Sequence, residues 1–263
     1  MSPARWVNLA ELGAAVPDGA SVAPGGFMLG RAPMALVLAI AQQGRRGLHV
    51  VSLPNPLPAE VLVAAGAIAR LDLAFGGLTL GGRVRALPCL RRAMEENRID
   101  WREHDGYRIV QRLRAAAMGV PFLPVPDAEF SDVAKLEPLG WVDDPFTGAR
   151  VPVERAFQPD VALVHAHAAD DGGNLLIEDP TTDLLVVGAA RRVLATAERR
   201  VRSLPRITVP SFLVTAVAEA AGGALPTGCA GLYPHDAEAL ERWCTLAEAG
   251  RIDELLGRAG RAA

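Results

Sequence analysis

The chain has 263 residues, half of them hydrophobic and 5% aromatic, and its formal net charge at pH 7 is −3. This length allows one large domain or two small ones with a sizeable core, and the small charge excludes the global basic field of a nucleic-acid-binding protein. No apolar run reaches the roughly 18 residues of a membrane span and no signal peptide opens the chain, so we expect a cytoplasmic protein with no membrane contact.

Lysine and cysteine are too rare for several kinds of active site. Lys135 is the only lysine, and it lies in a polar segment. Schiff-base catalysis and Walker-type phosphate binding both need a lysine, so both are set aside. The cysteines Cys89, Cys229 and Cys244 show no C-x-x-C spacing, which argues against a zinc site and against a disulfide framework.

A glycine-rich stretch at residues 21–33 joins a predicted strand to a predicted helix. The apolar run 20–23 meets the pair Gly25-Gly26, and the helix is predicted from Pro33 to Gln43. Adjacent glycines permit a tight turn and a close backbone approach to a ligand, and a helix start offers free N–H groups to an anion. Because the Walker ending and the G-x-G-x-x-G spacing are both absent, an anion-binding loop and an ordinary turn stay open.

Strands and helices alternate from this stretch to about residue 124. We predict strands at 48–53, 68–75, 99–103 and 121–124, and helices at 60–65, 88–97 and 107–118. This alternation predicts an α/β fold with a mostly parallel central sheet and helices on both faces. Ligands in such sheets bind at the carboxyl ends of the strands. We therefore expect Gly25-Gly26, Ser52-Leu53 and Phe75-Gly76-Gly77 to lie at one edge.

The second half is less regular. Residues 124–152 are predicted as a long polar loop excursion, and strands follow at 161–166, 175–177, 193–197, 207–209 and 212–216. A helix at 183–190 is predicted to be capped by Thr182, and C-terminal helices are predicted within 236–263. Because the chain shows neither an internal repeat nor a linker, we predict one domain over residues 1–263 with an irregular middle.

Two groups near predicted strand ends are candidates for metal binding or acid/base chemistry. His165 and His167 share a strand face near two aspartates, which suits either a metal or histidines that bond to backbone; no third cluster of ligands is present, so we predict no metal. Glu103 and Asp105 flank His104 at a strand-to-helix junction. They form either an acid/base group or, for Asp105, a helix N-cap.

A thiol and an arginine cluster complete the candidates. Cys229 lies among loop residues, but nothing in the sequence lowers its pKa. Six arginines form either a phosphate-binding patch or, more simply, a solvated face: Arg191, Arg192, Arg199, Arg200, Arg202 and Arg206. No convincing nucleophile emerges, which indicates either a binding module or half of an active site.

Several stretches taken together resemble the α subunit of family I CoA-transferases, and most of all the glutaconate CoA-transferase branch. The resemblance covers about residues 10–245, in order and with compatible spacing. The matching stretches are 16–19, 21–33 with its Gly-Gly-Phe, 43–44, 48–52, 113–124, the Asp-Pro-Phe-Thr-Gly at 144–148, 159–166, 169–174, 222–226 and 233–236.

This resemblance implies a CoA-transferase-like fold and a β-subunit partner in a hetero-oligomer such as α2β2. In the family, a β-subunit glutamate attacks the acyl-CoA thioester, and the resulting glutamyl-CoA thioester passes CoA to a second carboxylic acid. The resemblance therefore implies no catalytic residue on this chain, no cofactor, and coenzyme A, an acyl-CoA and a carboxylic acid as substrates. It implies that Gly25, Gly26 and Phe27 line the pocket, with N–H groups facing a substrate oxygen. Arg31 either pairs with a substrate carboxylate or holds the loop.

Two departures from the family pattern bear on the reaction. Leu225 and Thr227 stand where many relatives carry histidine and serine, so one polar group near the site is missing. A ring-opening hydrolase branch carries a working glutamate just after the strand at Glu103, and this chain has Gly106 at that place, which disfavours that branch. Glu103 and Asp105 remain the runner-up catalytic residues. A CoA-thioester or ring-opening hydrolase and a non-catalytic binding homologue remain alternatives, and the acyl group is not specified.

Overall fold

The centre of the molecule is one eight-stranded sheet, seen in a computed structural model that describes residues 4–126, 128–130 and 132–257. Three small sheets, of three, three and two strands, surround it. The strands of the described residues are β1 Arg5–Trp6, β2 Ser21–Pro24, β3 Leu48–Ser52, β4 Ile68–Leu73, β5 Gly77–Leu80, β6 Arg83–Ala86, β7 Asp100–Glu103, β8 Phe122–Pro124, β9 Gly140–Asp143, β10 Arg150–Arg155, β11 Val161–Ala166, β12 Ala168–Asp170, β13 Leu175–Leu176, β14 Arg192–Ala197, β15 Arg200–Val201 and β16 Ala216–Glu219.

The central sheet is parallel and has the strand order β1-β16-β14-β11-β2-β3-β4-β7. From β2 the chain adds β3, β4 and β7 outward on one side. It then returns to place β11 beside β2 and adds β14 and β16 on the other side. The order therefore reverses between β2 and β11, which is where open α/β sheets bind ligands. The predicted fold class is confirmed.

Helices cover both faces of this sheet. Leu36, Val61 and Leu240 pack in the core of one face, whereas Leu113 and Val186 pack in the core of the other. None of the helices in the described ranges is long and apolar enough to span a membrane. These helices are α1 Leu9–Ala14, α2 Met34–Gln42, α3 Pro56–Ala64, α4 Pro88–Glu95, α5 Gly106–Met118, α6 Val133–Leu136, α7 Asp183–Ala189, α8 Ala237–Glu248 and α9 Ile252–Leu255.

The predicted loop excursion at 124–152 contains more structure than expected. β9 and β10 form an antiparallel hairpin, and β8 pairs with the other edge of β10. Asp144 organises the hairpin tip, because its side chain accepts hydrogen bonds from the Phe146 N–H and the Thr147 hydroxyl. β9 and the first residues of β10 are largely exposed and offer no run of buried apolar residues from which strands could be predicted, whereas Pro152, Val153 and Glu154 of β10 are buried. Residues 127 and 131 of this segment lie outside the described residues.

Two further predictions of local structure are wrong. The Thr182 side chain makes no N-cap bond and instead donates to the Gly26 carbonyl at 2.7 Å. The predicted strands at 207–209 and 212–216 are replaced by a 3₁₀ turn at Ser211–Leu213 and by β16. Pro210 contributes here, because it has no N–H to give to a strand ladder. The predicted C-terminal helices correspond to α8 and α9, and residues 258–263 of that prediction lie outside the described residues.

A buried carboxylate joins three helices on one face. Glu60 of α3 is fully buried and accepts hydrogen bonds from the Cys89 N–H (3.0 Å), the Leu90 N–H (2.7 Å) and the Trp243 indole (3.2 Å). Helix α4 has no side-chain cap of its own, so Glu60 satisfies two of its free N–H groups. Burial raises the pKa of Glu60 despite these hydrogen bonds.

We expect Glu60→Ala to lower the free energy of unfolding by about 2–3 kcal/mol, because it leaves buried N–H groups without an acceptor. Glu95→Ala on the exposed side of α4 is the matched control and should cost at most about 1 kcal/mol. Urea denaturation of both variants measures the difference. Equal losses would contradict a capping role for Glu60.

Candidate functional site

The loops that follow β2, β3 and β4 meet at the carboxyl edge of the sheet, as predicted. The Asn55 amide donates to the Gly25 carbonyl at 2.5 Å, and the Met28 N–H donates to the Pro54 carbonyl at 2.6 Å. The Ser52 hydroxyl in turn donates to the Asn55 carbonyl at 2.9 Å. The glycine loop is therefore fixed to its neighbour through buried polar groups, which is how a rigid site is held at such an edge.

Gly25 and Gly26 are required by the packing of this loop. A Cβ on Gly25 would lie 2.6 Å from Asp183 Oδ1, and one on Gly26 would lie 2.6 Å from the Arg31 carbonyl oxygen. Gly26 also has φ +81°, in the left-handed region. The absence of a Cβ at these two positions therefore makes room for Asp183 and for the backbone at Arg31, and not for a ligand.

The N–H groups of the loop are already occupied. The Gly25 N–H donates to the Leu163 carbonyl at 2.8 Å, the Gly26 N–H to Asp183 Oδ1 at 3.2 Å, and the Phe27 N–H to the Gly30 carbonyl at 2.9 Å. The geometry therefore does not support the prediction that these groups hold a substrate oxygen. The Phe27 side chain is 45% exposed, and its place in the lining of a pocket stays a prediction.

Arg31 holds the loop and has no donor left for a substrate. Its Nε donates to Asp179 Oδ1 at 2.8 Å. Its Nη1 donates to the His165 carbonyl and to Asp183 Oδ1, both at 2.9 Å. Its Nη2 donates to the Asp179 carbonyl at 2.9 Å and to Asp183 Oδ2 at 2.7 Å. A guanidinium has five N–H donors, and all five are used. Of the two roles predicted for Arg31, the geometry favours the structural one.

The charge on Arg31 is stable in this setting. Burial alone lowers the pKa of Arg31, but the hydrogen bonds and negative charges of Asp183 and Asp179 outweigh burial and hold that pKa above its ordinary value. Arg31 and Asp183 are both fully buried, with N···O contacts as short as 2.7 Å. This bidentate pair fixes the loop after β2 against helix α7.

A second polar network lies at the carboxyl ends of β11 and β14. His165 is fully buried, with Nδ1 at 2.8 Å from the Thr196 hydroxyl and Nε2 at 2.7 Å from Glu198 Oε1. Glu198 also accepts from the Tyr233 hydroxyl and, at 2.7 Å, from the Gly222 N–H. The network ties the segment around Tyr233 to the sheet, beside the point where the strand order reverses.

The network fixes the protonation states of its members. Burial lowers the pKa of His165 even though Glu198 opposes it, so the ring is neutral near pH 7 and its Nε2–H donates to Glu198. Burial alone raises the pKa of Glu198, but the hydrogen bonds from His165, Tyr233 and the Gly222 N–H lower it to about 2. Glu198 is therefore ionised at neutral pH, and both of its oxygens accept hydrogen bonds.

The predicted bonding to backbone is found for His167, whereas His165 bonds to the side chains of Thr196 and Glu198. His167 Nε2 lies 3.0 Å from the Ala230 carbonyl, and its Nδ1 accepts from the Glu178 N–H at 3.2 Å. Within the described ranges, His165, Glu198 and Cys229 form the group whose ligand atoms are close enough for a metal. Both nitrogens of His165 are used by Thr196 and Glu198, so this geometry gives no support for a metal.

Cys229 has the wrong environment for a nucleophile. The thiol is buried, and burial followed by the charge of Glu198 raises its pKa to about 12. A thiol with such a pKa is protonated at neutral pH and unreactive.

The two alternative catalytic residues, Asp105 and Glu103, have different roles in the structure: Asp105 caps a helix, and Glu103 is an exposed carboxylate. Asp105 Oδ1 accepts from the Tyr107 N–H at 2.7 Å and so caps α5, the simpler of its two predicted roles. Glu103 ends β7, is exposed, and lines two adjoining cavities of about 170 and 450 Å³. Among the contacts of the described residues, its carboxylate has no hydrogen-bond or ion-pair partner. Glu103 is thus the predicted carboxylate that is open to a ligand.

Behind Glu103 a buried charge cluster fixes the end of β7. Asp72 is fully buried and lies 3.1 Å from His49 Nε2, 3.5 Å from Arg112 Nη1 and 3.7 Å from His104 Nε2. Burial alone raises the pKa of Asp72, but His104 and His49 outweigh it and hold the pKa far below its usual range. The cluster keeps the junction between β7 and α5 in place.

The six arginines do not form one patch. Arg191 and Arg192 lie at the amino end of β14, whereas the other four follow its carboxyl end. Arg200 pairs with Asp171 at 2.7 Å, and Arg206 pairs with Glu178. This distribution fits the solvated face rather than a phosphate site.

Sequence comparison relates the chain to one subunit of known two-subunit enzymes. Residues 7–220 match the family model described as Coenzyme A transferase. The α subunit of 3-oxoadipate CoA-transferase from Pseudomonas knackmussii is 30% identical, with 88% of this chain and 84% of the relative covered. The α subunit of glutaconate CoA-transferase from Acidaminococcus fermentans is 27% identical, with 84% and 76% covered. An uncharacterised Archaeoglobus fulgidus protein is 32% identical over 88% of this chain. The match spans only 53% of that relative's own length.

Structural comparison gives two informative neighbours. A chain of the decarboxylase AibA/AibB, crystallised as a variant, is 63% identical, covers 100% of both chains and has a TM-score of 0.96. The glutaconate coenzyme A-transferase of Acidaminococcus fermentans has a TM-score of 0.87 at 23% identity, covers 96% of this chain and 87% of its own, and shares the fold.

Proposed function

This chain belongs to the Coenzyme A transferase family, and we propose that it is the α subunit of a two-chain enzyme that binds an acyl-CoA thioester and decarboxylates it. The observation that carries the proposal is the 63% identity, over the whole of both chains, with a chain of the decarboxylase AibA/AibB. The named transferase subunits reach only 30% and 27%. Identity at this level supports a shared reaction more strongly than a shared fold does.

The family and its relatives narrow the substrate. Membership of the Coenzyme A transferase family favours a CoA thioester as the substrate, and the relatives' names contain glutaconate and 3-oxoadipate, which are both dicarboxylates. We therefore propose a monothioester of a dicarboxylic acid. The step requires the free carboxylate on the carbon next to the thioester carbonyl, or on the γ carbon linked to it through a C=C bond, as in a glutaconyl thioester. The C–C bond to the carboxylate then breaks, CO₂ leaves, the electron pair is delocalised toward the thioester carbonyl, and a proton completes the shorter acyl-CoA.

The described residues of this chain supply a framework rather than a nucleophile. Cys229 is buried with a raised pKa, Asp105 caps a helix, and Arg31 is fully engaged. Glu103 is the exposed carboxylate at the edge. We propose that the reacting groups come from a β subunit that closes over this edge, in a hetero-oligomer such as α2β2.

CoA transfer is the second candidate, and the names of the two transferase relatives favour it. In that reaction a glutamate of the β subunit carries CoA as a glutamyl-CoA thioester before a second carboxylic acid accepts it. The two candidates share the partner and the CoA thioester but differ in the fate of the carboxylate.

The need for a partner is tested by purifying the chain from native extract with whatever protein accompanies it. The complex should turn over acyl-CoA, and this chain alone should not. Borohydride reduction during turnover, followed by mass spectrometry of both chains, locates any thioester adduct. An adduct on the partner favours CoA transfer, an adduct on Glu103 favours the hydrolase alternative, and full activity of this chain alone would contradict the proposal.

A further inference from the structure

An open apolar cleft of about 470 Å³ lies beside the candidate site. The β5–β6 hairpin and helix α4 form two of its walls, and Trp101 of the edge strand β7 forms another. Its volume lies within the range of small-molecule sites, about 300–1,000 Å³.

The walls of the cleft are hydrophobic. Phe75, Val84, Met94 and Trp101 face it, and Val84 is 67% exposed. The charged residues of the lining, Arg91 and Glu95, pair with each other at 3.0 Å. A concave apolar surface without an unpaired charge favours an apolar ligand group and disfavours a carboxylate.

The cleft connects with the carboxyl edge of the sheet. The neighbouring cavity of about 170 Å³ shares Phe75, Gly76, Met94 and Trp101 with it and adds Leu73 and Glu103. Leu73 and Glu103 end two adjacent parallel strands, β4 and β7. A ligand whose reactive end lies at this edge therefore has a continuous apolar path into the cleft.

We infer that the cleft binds a hydrocarbon branch of the acyl group, so that the enzyme favours dicarboxylic acid monothioesters whose acyl group carries such a branch beside its free carboxylate. This inference rests on the proposed function for its ligand, the acyl-CoA. It assigns chain-length selection to Phe75, Val84, Met94 and Trp101. Each buried methylene is worth about 0.8 kcal/mol, which is about a fourfold gain in affinity or in kcat/KM.

The test uses the two-chain complex and a series of dicarboxylic acid monothioesters of CoA whose hydrocarbon branch lengthens by one methylene at a time. For the wild type, kcat/KM should rise about fourfold per methylene until the cleft is filled. Val84 and Ala86 both line the cleft, so Val84→Trp and Ala86→Phe place bulk in it and should flatten this rise. Met118→Trp, at an exposed apolar position at the far end of α5, is the control and should preserve the rise.

Equilibrium binding of the same series separates this inference from the proposed function. If affinity grows with the length of the hydrocarbon and this growth is lost in Val84→Trp, the inference that the cleft binds the hydrocarbon is supported even when no substrate turns over. An absence of turnover would count against the proposed function alone. Affinity independent of chain length, or filling variants that behave like Met118→Trp, would overturn the inference and would indicate that another group, such as a segment of the partner, fills the cleft.

Discussion

Replacing Asp183 with asparagine is expected to lower the free energy of unfolding by about 3–5 kcal/mol, the cost of breaking a buried ion pair at one partner. Asp183 is fully buried and accepts from two nitrogens of Arg31 and from the Gly26 N–H. An amide keeps the shape but loses the charge, so the buried guanidinium is left undercompensated. Chemical denaturation of the variant and the wild type at neutral pH measures the loss.

Asp179→Asn is the matched control for this prediction. Asp179 also contacts Arg31, at 2.8 Å, but it is 39% exposed, and its backbone carbonyl keeps a second bond to the guanidinium after substitution. The expected loss is therefore about 1 kcal/mol or less. Equal losses for the two variants would mean that Arg31 is not held mainly by the buried pair with Asp183.

The second large effect concerns Glu198, whose replacement by glutamine should cost about 2–3 kcal/mol of unfolding free energy near neutral pH. The carboxylate accepts from Tyr233, His165 and the Gly222 N–H, and hydrogen bonds to a charged acceptor are worth more than neutral ones. Glu219→Gln, at the exposed end of β16, is the control and should change stability by at most about 0.5 kcal/mol.

The difference between the wild type and Glu198→Gln should depend on pH in a defined direction. The pKa of Glu198 is lowered from 4.5 to about 2 in the folded protein, so its contribution is fully present above pH 4.5 and is lost as the pH falls toward 2. Stability curves of the two proteins should therefore converge on acidification. A difference that stays constant between about pH 6 and pH 3 would argue against an ionised Glu198 in the network.

The sequence predicted the parts of the fold that depend on local hydrophobic runs. The buried strands β3 and β11 are short, mostly apolar segments between turn residues, and β4 alternates apolar residues with Arg70 and Asp72; their parallel pairing follows from the alternation with helices. The clustering of Gly25, Ser52 and Phe75 at one edge follows from the same pattern. The CoA-transferase resemblance, and with it the assignment to a CoA-transferase subunit, is confirmed at the level of the family.

The site depended on contacts that no local pattern reveals. Arg31 and Asp183 are 152 positions apart, and Gly26 and Asp183 are 157 apart. The sequence left both roles of Arg31 open, and only the count of its five occupied donors favours the structural one. Glu198 was overlooked, although a polar residue that directly follows a buried strand is a usable signal for the carboxyl edge.

The most direct test of the proposed reaction follows both products of a single incubation. The two-chain complex is given a dicarboxylic acid monothioester of CoA that is ¹³C-labelled at the free carboxylate, together with an unlabelled monocarboxylic acid as acceptor. Decarboxylation predicts one labelled CO₂ for each acyl-CoA consumed, with CoA retained on the shortened acyl group. CoA on the acceptor acid without release of labelled CO₂ would contradict decarboxylation and establish CoA transfer instead.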